Sequence, residues 1–370
     1  MSATFDDLLE PRLTETFRRE SGVRSGLPGA AYADEAFLRL ENERLFPDNW
    51  TFVGFAHEMK NAGDVVPTTL GGRPILLVRT QTGDIRAFHN VCRHRCLKLV
   101  VEAGNVGRQI QCPYHAWTYS LEGALKATPH FGGYGTHQPA DFKLEEHGLV
   151  PIRSVLWGDW IFINLNDNAV DFVDYASPLI ARLEGVDVDN LVPLARLDFD
   201  EVATNWKFLM ENFMEPYHVQ YVHPTTTEQP LGNHRTILDG VCLGSFVDLP
   251  DGQAAAGSLA VSSRYLTLFP NFVVGRYFPD QLGVYLNIPL SAGKTRQVRI
   301  IYSTGEREFS EAEVESVRNL WHSVHKEDHA MCERLQAGRA SQVAADGGFL
   351  SPVWEDSVRR FQELIIEAVE

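Results

Sequence analysis

The stretches "NVCRHRC" (residues 90–96) and "CPYHAW" (residues 112–117) decide how this chain is to be read. The first contains Cys92-x-His94 and the second Cys112-x-x-His115, about seventeen residues further on. Each pair falls at a strand–turn boundary. Two thiolates and two imidazoles are enough for a tetrahedral zinc site. A zinc finger, however, groups cysteine with cysteine and histidine with histidine. One of each from two separate loops is the grouping in which two thiolates hold one iron of a [2Fe–2S] pair and two imidazoles hold the other. Replacing two anionic thiolates by neutral imidazoles raises the reduction potential, so the cluster can accept electrons from a ferredoxin or reductase.

Outward from these loops the pattern is β-rich. TFVGFAH, RPILLVR, a TGD turn, IRAFHNV and SVLWGDWIFINL (154–165) read as short strands and turns. Before them, DEAFLRLENERLF (34–46) has helical periodicity and stops at Pro47. After Asp167 come a helical piece and the strand-like RLDFDEVAT. Residues 240–304 read as further strands (VCLGSFVDL, SSRYLTLF, NFVVGRYF, LGVYLNIPL, RQVRIIYS), and helices at about 311–336 and 355–369 close the chain. The expectation is an α+β protein: a helical arm (1–46), an all-β unit (47–166) and a C-terminal region of antiparallel sheet plus helices (167–370).

Bulk properties narrow the function. The 370 residues are 44% hydrophobic and 22% charged, ordinary for a globular protein. No apolar run approaches the ~20 residues that span a bilayer. The acidic start, MSATFDDLLEPRLTETF, argues against a secretory or transit peptide, so the expected location is cytoplasmic. A net charge of −16 disfavours nucleic acid and suits a partner with a basic patch. Five cysteines, odd in number and sparse, make no disulfide framework; Cys96, Cys242 and Cys332 read as buried or partly exposed structural thiols.

A second constellation lies at "NWKFLMENFMEPYHVQYVH" (205–223), where histidines and acids sit among aromatic residues. At about 100° per residue, five steps put His223 about 140° around a regular helix from His218. Both face one metal only if the helix ends, bulges or unwinds between them, and Pro224 favours an end.

The segment RAFHNVCRHRC…IQCPYHAWTYSLEGAL closely resembles the Rieske domain of Rieske non-haem iron oxygenases, in their large (alpha) oxygenase subunit. The resemblance runs from about Leu45 to Gln336 and makes Cys92, His94, Cys112 and His115 cluster ligands. It implies an all-β Rieske domain inserted into a helix-grip-like catalytic domain. The 205–223 stretch resembles the family's NW…EN…(D/E)-x-YH-x4-H signature, which makes His218 and His223 ligands of a mononuclear Fe(II). A third ligand is implied in HKEDHAMCERLQAG (325–338), where Asp328 holds the matching place and Glu327 is its nearest competitor. Such a 2-His-1-carboxylate set leaves positions open for O₂. His325 and His329, an i,i+4 pair, read as a solvated helix face rather than a separate metal site.

Glu215, placed by a helix on about the same face as His218, stands where much of the family has an aspartate linking the iron site to a neighbouring subunit's cluster histidine. Asn212 and Glu211 are expected to support the site. The resemblance further implies a homo-trimer or multiple of it, and NAD(P)H electrons delivered by a separate flavin/iron–sulfur reductase, with or without a ferredoxin. The EN-F-M-E-P-YH form looks like members that hydroxylate or demethylate quaternary ammonium compounds. Phe208, Phe213, Tyr217, Phe269, Phe272, Tyr277 and Tyr285 are candidates for a cation–π pocket, with Arg264 and Arg276 as candidate partners for a substrate carboxylate. An aromatic-ring (di)oxygenase acting on an aromatic acid is the alternative. An electron-transfer protein and a zinc-stabilised binding protein are the remaining classes.

Overall fold

The computed structural model describes residues 24–226, 231–248, 262–278, 280–305 and 307–370. The first half of the helical arm, and Leu249 at the end of VCLGSFVDL, lie outside them. The chain divides into two compact units: Phe46–Ala169, and Val170–Glu370 together with the residues before Phe46.

In the first unit, the strands are β1 (Thr51–Phe55), β2 (Asp64–Leu70), β3 (Arg73–Arg79), β4 (Ile85–His89), β5 (Gly104–Asn105), β6 (Gln109–Gln111), β7 (Thr118–Ser120), β8 (Leu125–Ala127), β9 (Pro151–Trp157) and β10 (Trp160–Asn164). Seven form one sheet in the order β1-β10-β9-β4-β3-β2-β5, and β6-β7-β8 form a second. The two cysteine–histidine loops follow β4 and β6. The short β5–β8 and the longer β2 are strands that hydrophobic alternation does not announce; in β2, DVVPTTL carries Pro67 and alternates poorly, and pairing with β3 holds it.

The second unit contains α1 (Glu35–Leu40), α2 (Phe172–Arg182), β11 (Val192–Val202), α3 (Trp206–Met214), α4 (Val219–Val222), β12 (His234–Asp239), β13 (Cys242–Asp248), β14 (Ser262–Leu268), β15 (Phe272–Phe278), β16 (Gln281–Ser291), β17 (Lys294–Ser303), α5 (Glu311–Gly338) and α6 (Asp356–Val369). Seven of its strands form an antiparallel sheet in the order β11-β17-β16-β15-β14-β13-β12. The α+β expectation therefore holds, with β12 added at an edge where HRTILD had no clear alternation. Helix α5 starts at a capping box in which Ser310 and Glu313 satisfy each other's backbone N–H groups. It buries Trp321, His325, His329 and Cys332 along one stripe. Among the described residues, no helix is long and apolar enough to cross a membrane.

The N-terminal segment is tied to α3 by a buried ion pair: Lys207 Nζ donates to Glu41 Oε1 at 2.6 Å, with both side chains fully buried. Trp206 Nε1 donates to the other Glu41 oxygen at 3.0 Å. Burial raises the Glu41 pKa and lowers that of Lys207, each opposed by the partner's charge. Removing one partner strands the other charge away from water. Glu41→Gln is expected to destabilise the protein by about 3–5 kcal/mol, measured by urea unfolding; a loss under ~1 kcal/mol would show that the pair is not held as described.

Candidate metal centres

In the first unit the two loops are built alike. The Cys92 amide donates to the Leu97 carbonyl and the Cys96 amide to the Cys92 carbonyl; Cys112–Trp117 and Ala116–Cys112 repeat the pattern, all at 2.8–3.0 Å. Cys96 and Ala116 hold equivalent left-handed positions, φ 58° and 56°. Both turns bury the cysteine and bring the histidines outward: Cys92 and Cys112 are buried, while the His94 and His115 rings meet with centroids 4.6 Å apart. His94 stacks on the buried Trp117 at 4.9 Å. The Tyr119 hydroxyl lies 3.3 Å from Cys92 Sγ and accepts from the Arg93 amide at 2.9 Å. Burial pushes the Cys92 thiol up and lowers the His94 pKa, with His115 and Arg95 adding to the latter, which favours the neutral form that an imidazole ligand needs. Inner thiols and outer imidazoles from paired loops fit a Rieske cluster. Of the other thiols, Cys242 and Cys332 are buried, but Cys96 is exposed, because the left-handed turn directs it to the rim.

In the second unit, one histidine–carboxylate group stands out among the described residues. The ligand atoms of His218, His223 and Asp328 all lie within 4.8 Å of one another. Asn205 caps α3 by accepting from the Lys207 amide, and the helix stops at Met214 before the extended Glu215 and Pro216. A single turn, α4, then separates His218 from His223. The helix does end, so the 140° obstacle disappears. Glu215 is near His218 for a different reason from the one expected. It is not one helical turn away; its carboxylate folds forward to accept the Tyr217 and His218 amides at the start of α4.

Asp328 Oδ1 lies 2.9 Å from His223 Nε2 and 3.6 Å from His218 Nε2. The opposite ring nitrogens are also held: His218 Nδ1 by Glu215 Oε1 and His223 Nδ1 by Glu327 Oε2, each at 2.6 Å. Thr226 donates its hydroxyl to the same Glu327 oxygen. His223 thus faces a carboxylate oxygen from each nitrogen, and only a cation satisfies both: the ring as imidazolium, or a metal ion on the Nε2 side. Burial opposes charging either ring, but Glu215 with Asp328 outweighs it at His218, and Asp328 with Glu327 outweighs it at His223, raising both pKa values. Outer carboxylates that fix both imidazoles for one inner carboxylate are the arrangement of a metal site. In the linear chain Glu327 is only a competitor for Asp328; its contact with His223 spans 104 residues.

Other candidates are placed differently. Glu211 is buried and accepts from the Tyr32 hydroxyl at 2.6 Å and Gln362 at 3.0 Å, tying α3 to the N-terminal segment and α6. The half-buried Asn212 has no side-chain hydrogen bond among the described residues. His325 and His329 are not a solvated face: they are 3% and 8% exposed. His329 Nε2 meets Gln297 Oε1 at 2.8 Å, and His325 Nε2 accepts from Arg299.

The seven aromatic candidates do not form one cage. Phe208 stacks on Tyr32, and Phe269 packs near Phe361. Phe272 is buried on the strand face opposite Tyr277, and Tyr217 is 44% exposed. Tyr277, Tyr285 and Phe213 do come together: the two hydroxyls lie 3.0 Å apart and Phe213 meets Tyr285 edge-on. Arg264 and Arg276 are cross-strand partners on the other face of the sheet from Tyr265 and Tyr277.

Comparison with known proteins agrees with this division. Residues 49–138 match the Rieske [2Fe-2S] domain, and residues 184–240 and 247–370 match the ring hydroxylating alpha subunit catalytic domain. The glycine betaine monooxygenase oxygenase subunit of Pseudomonas aeruginosa is 35% identical over 59% of this chain, a match spanning only 50% of that relative. The chloroplastic choline monooxygenase of Atriplex hortensis is 28% identical over 90% of this chain and 76% of its own. The crystal structure of the quaternary ammonium Rieske monooxygenase CntA with γ-butyrobetaine superposes with a TM-score of 0.80 at 23% identity, covering 96% of this chain and 99% of that one. With the Rieske domain and the catalytic domain both matched, the chain belongs to the Rieske oxygenases as a ring-hydroxylating alpha subunit.

Proposed function

We propose that this protein is the terminal oxygenase of a monooxygenase system that hydroxylates or oxidatively demethylates a small N-methyl compound. The convergence of His218, His223 and Asp328, with Glu215 and Glu327 behind the imidazoles, carries the proposal. The names of the relatives supply the substrate class. His218, His223 and Asp328 would hold Fe(II), which when bound would supply O₂ activation, and Cys92, Cys112, His94 and His115 would hold a Rieske cluster able to supply electrons.

The protein's own work is positional. Glu215 and Glu327 accept the Nδ1 protons, which aims both Nε2 lone pairs inward. Asp328 contributes the inner negative charge. Tyr277, Tyr285 and Phe213 limit water on the sheet side. NAD(P)H serves through a separate reductase. The assembly is a homo-trimer or multiple of it, in which Glu215 also accepts from a neighbouring subunit's His115 and passes electrons between the two centres.

The test is substrate-dependent O₂ consumption by the purified protein with a reductase, across glycine betaine, choline and aromatic acids, alongside iron and sulfide analysis. The expected result is two cluster irons and one further iron per chain, with product from an N-methyl compound. Cys112→Ala or His94→Ala should remove the cluster's visible spectrum. A colourless protein holding zinc and no sulfide would overturn the reading.

A further inference from the structure

Helix α5 carries Asp328 ~27 Å along its axis beyond the Ser310 cap, so the cap cannot fix where that carboxylate stands. Apolar contact between a helix and a sheet tolerates sliding and rotation, because the hydrophobic effect has no direction. A buried polar chain supplies the direction here. His329 Nε2 lies 2.8 Å from Gln297 Oε1, Gln297 Nε2 donates to Asn287 Oδ1 at 2.8 Å, and Asn287 Nδ2 donates to Met210 Sδ at 3.3 Å. All four residues are buried. They belong in turn to α5, β17, β16 and α3, and Asn287 and Gln297 are cross-strand partners.

The donors and acceptors of this chain can run in one direction only. A thioether accepts but cannot donate. Asn287 must therefore turn its NH₂ group to Met210 and its oxygen to Gln297, which leaves the Gln297 oxygen for His329 and puts a proton on His329 Nε2. Each bond polarises the next. The two ends are the elements that bear the metal group: α3 runs into the Glu215–His223 segment, and His329 directly follows Asp328.

A second tie lies one turn back on α5. Arg299 Nη1 donates to His325 Nε2 at 3.2 Å, and its guanidinium carbon lies 3.7 Å from the Trp321 ring centroid. Gln297 and Arg299 are i,i+2 on one face of β17, ~6.6 Å apart. His325 and His329 are i,i+4 on α5, ~6 Å apart along the axis. The spacings match, so strand and helix engage at two points. A slip of α5 by one residue would leave buried donors and acceptors unpaired. Leucine or methionine would fill the same space; buried polar groups fix register as well.

We propose that Asn287, Gln297 and His329 are positioning residues for the metal group. They set the register of α5 against α3 and the sheet, and thereby hold Asp328 Oδ1 facing both His218 Nε2 and His223 Nε2. Arg299 and His325 are the second point of the same lock. This rests on the metal-centre reading and adds to it residues that are not ligands.

The test is anaerobic calorimetric titration of Fe(II) into cluster-loaded enzyme prepared without its mononuclear iron, with urea unfolding of the same samples. The triple variant Asn287→Leu, Gln297→Met, His329→Leu makes the whole chain apolar and orphans no member of it, so its stability should equal or exceed that of wild type. Its Fe(II) affinity should nevertheless fall by about 10–100-fold. His329→Leu alone should also bind Fe(II) weakly, whereas His329→Gln, which keeps an N–H donor for Gln297, should retain most of the affinity. That pair decides the matter if the triple variant does not fold. Wild-type affinity in the triple variant or in His329→Leu, a loss in the triple variant that only tracks lower urea stability, or equal losses in His329→Gln and His329→Leu would overturn the proposal and leave the metal reading standing. A wild type that binds no Fe(II) would overturn both.

Discussion

Asp328→Ala should abolish product formation and remove the single non-cluster iron while leaving the Rieske spectrum intact. The size of the effect follows from the group's geometry. Asp328 is the one carboxylate that both Nε2 atoms face, at 2.9 and 3.6 Å, so its loss leaves two neutral ligands and no inner charge. His218→Ala and His223→Ala should behave alike. Glu327→Gln is the informative contrast. Its carboxylate touches His223 Nδ1 and Thr226, so iron affinity should fall by about 10–100-fold, and high iron should recover activity. Iron analysis, visible spectra and turnover on the same samples decide the matter. An essential Glu327 beside a dispensable Asp328 would reverse the assignment.

The second large effect is expected at Glu215. Its 12% exposed carboxylate holds His218 Nδ1 and two amides at the start of α4. Glutamine keeps one oxygen acceptor but loses the charge and the second acceptor. Glu215→Gln should therefore accept reductase electrons into the cluster at the wild-type rate, retain iron when iron is in excess, and yet reoxidise the cluster at least a hundredfold more slowly in the presence of substrate and O₂. Stopped-flow single turnovers measure this directly. Wild-type reoxidation in an iron-replete Glu215→Gln sample would confine the residue to holding His218 and send the electrons by another route.

Much of this was legible in the linear chain, because some of its chemistry is local. The Cys-x-His and Cys-x-x-His pairs are short loops whose backbone turns close within five residues, so ligand type and spacing suffice to mark them. Residues His218 and His223 are likewise joined by one helical turn, and Pro216 and Pro224 punctuate it visibly. Strands β3, β4, β10 and β13–β17 are visible as short runs rich in β-branched and aromatic residues that end at turns.

Tertiary structure decided what depends on distant contact. Glu327, expected only as a rival ligand, supports His223 because α5 brings it across the fold. His325 and His329 carry a polar spacing that suits water, yet the sheet buries them against Arg299, Gln297 and Phe199. The aromatic candidates were equivalent by composition; strand parity and helix packing sent Phe208, Phe269 and Phe272 to the core and gathered Tyr277 and Tyr285 around a buried arginine. A one-dimensional pattern specifies which face a side chain takes within its own element. What stands opposite that face is set by the packing of elements far apart in the chain, and the polar partners of a buried charge are decided there.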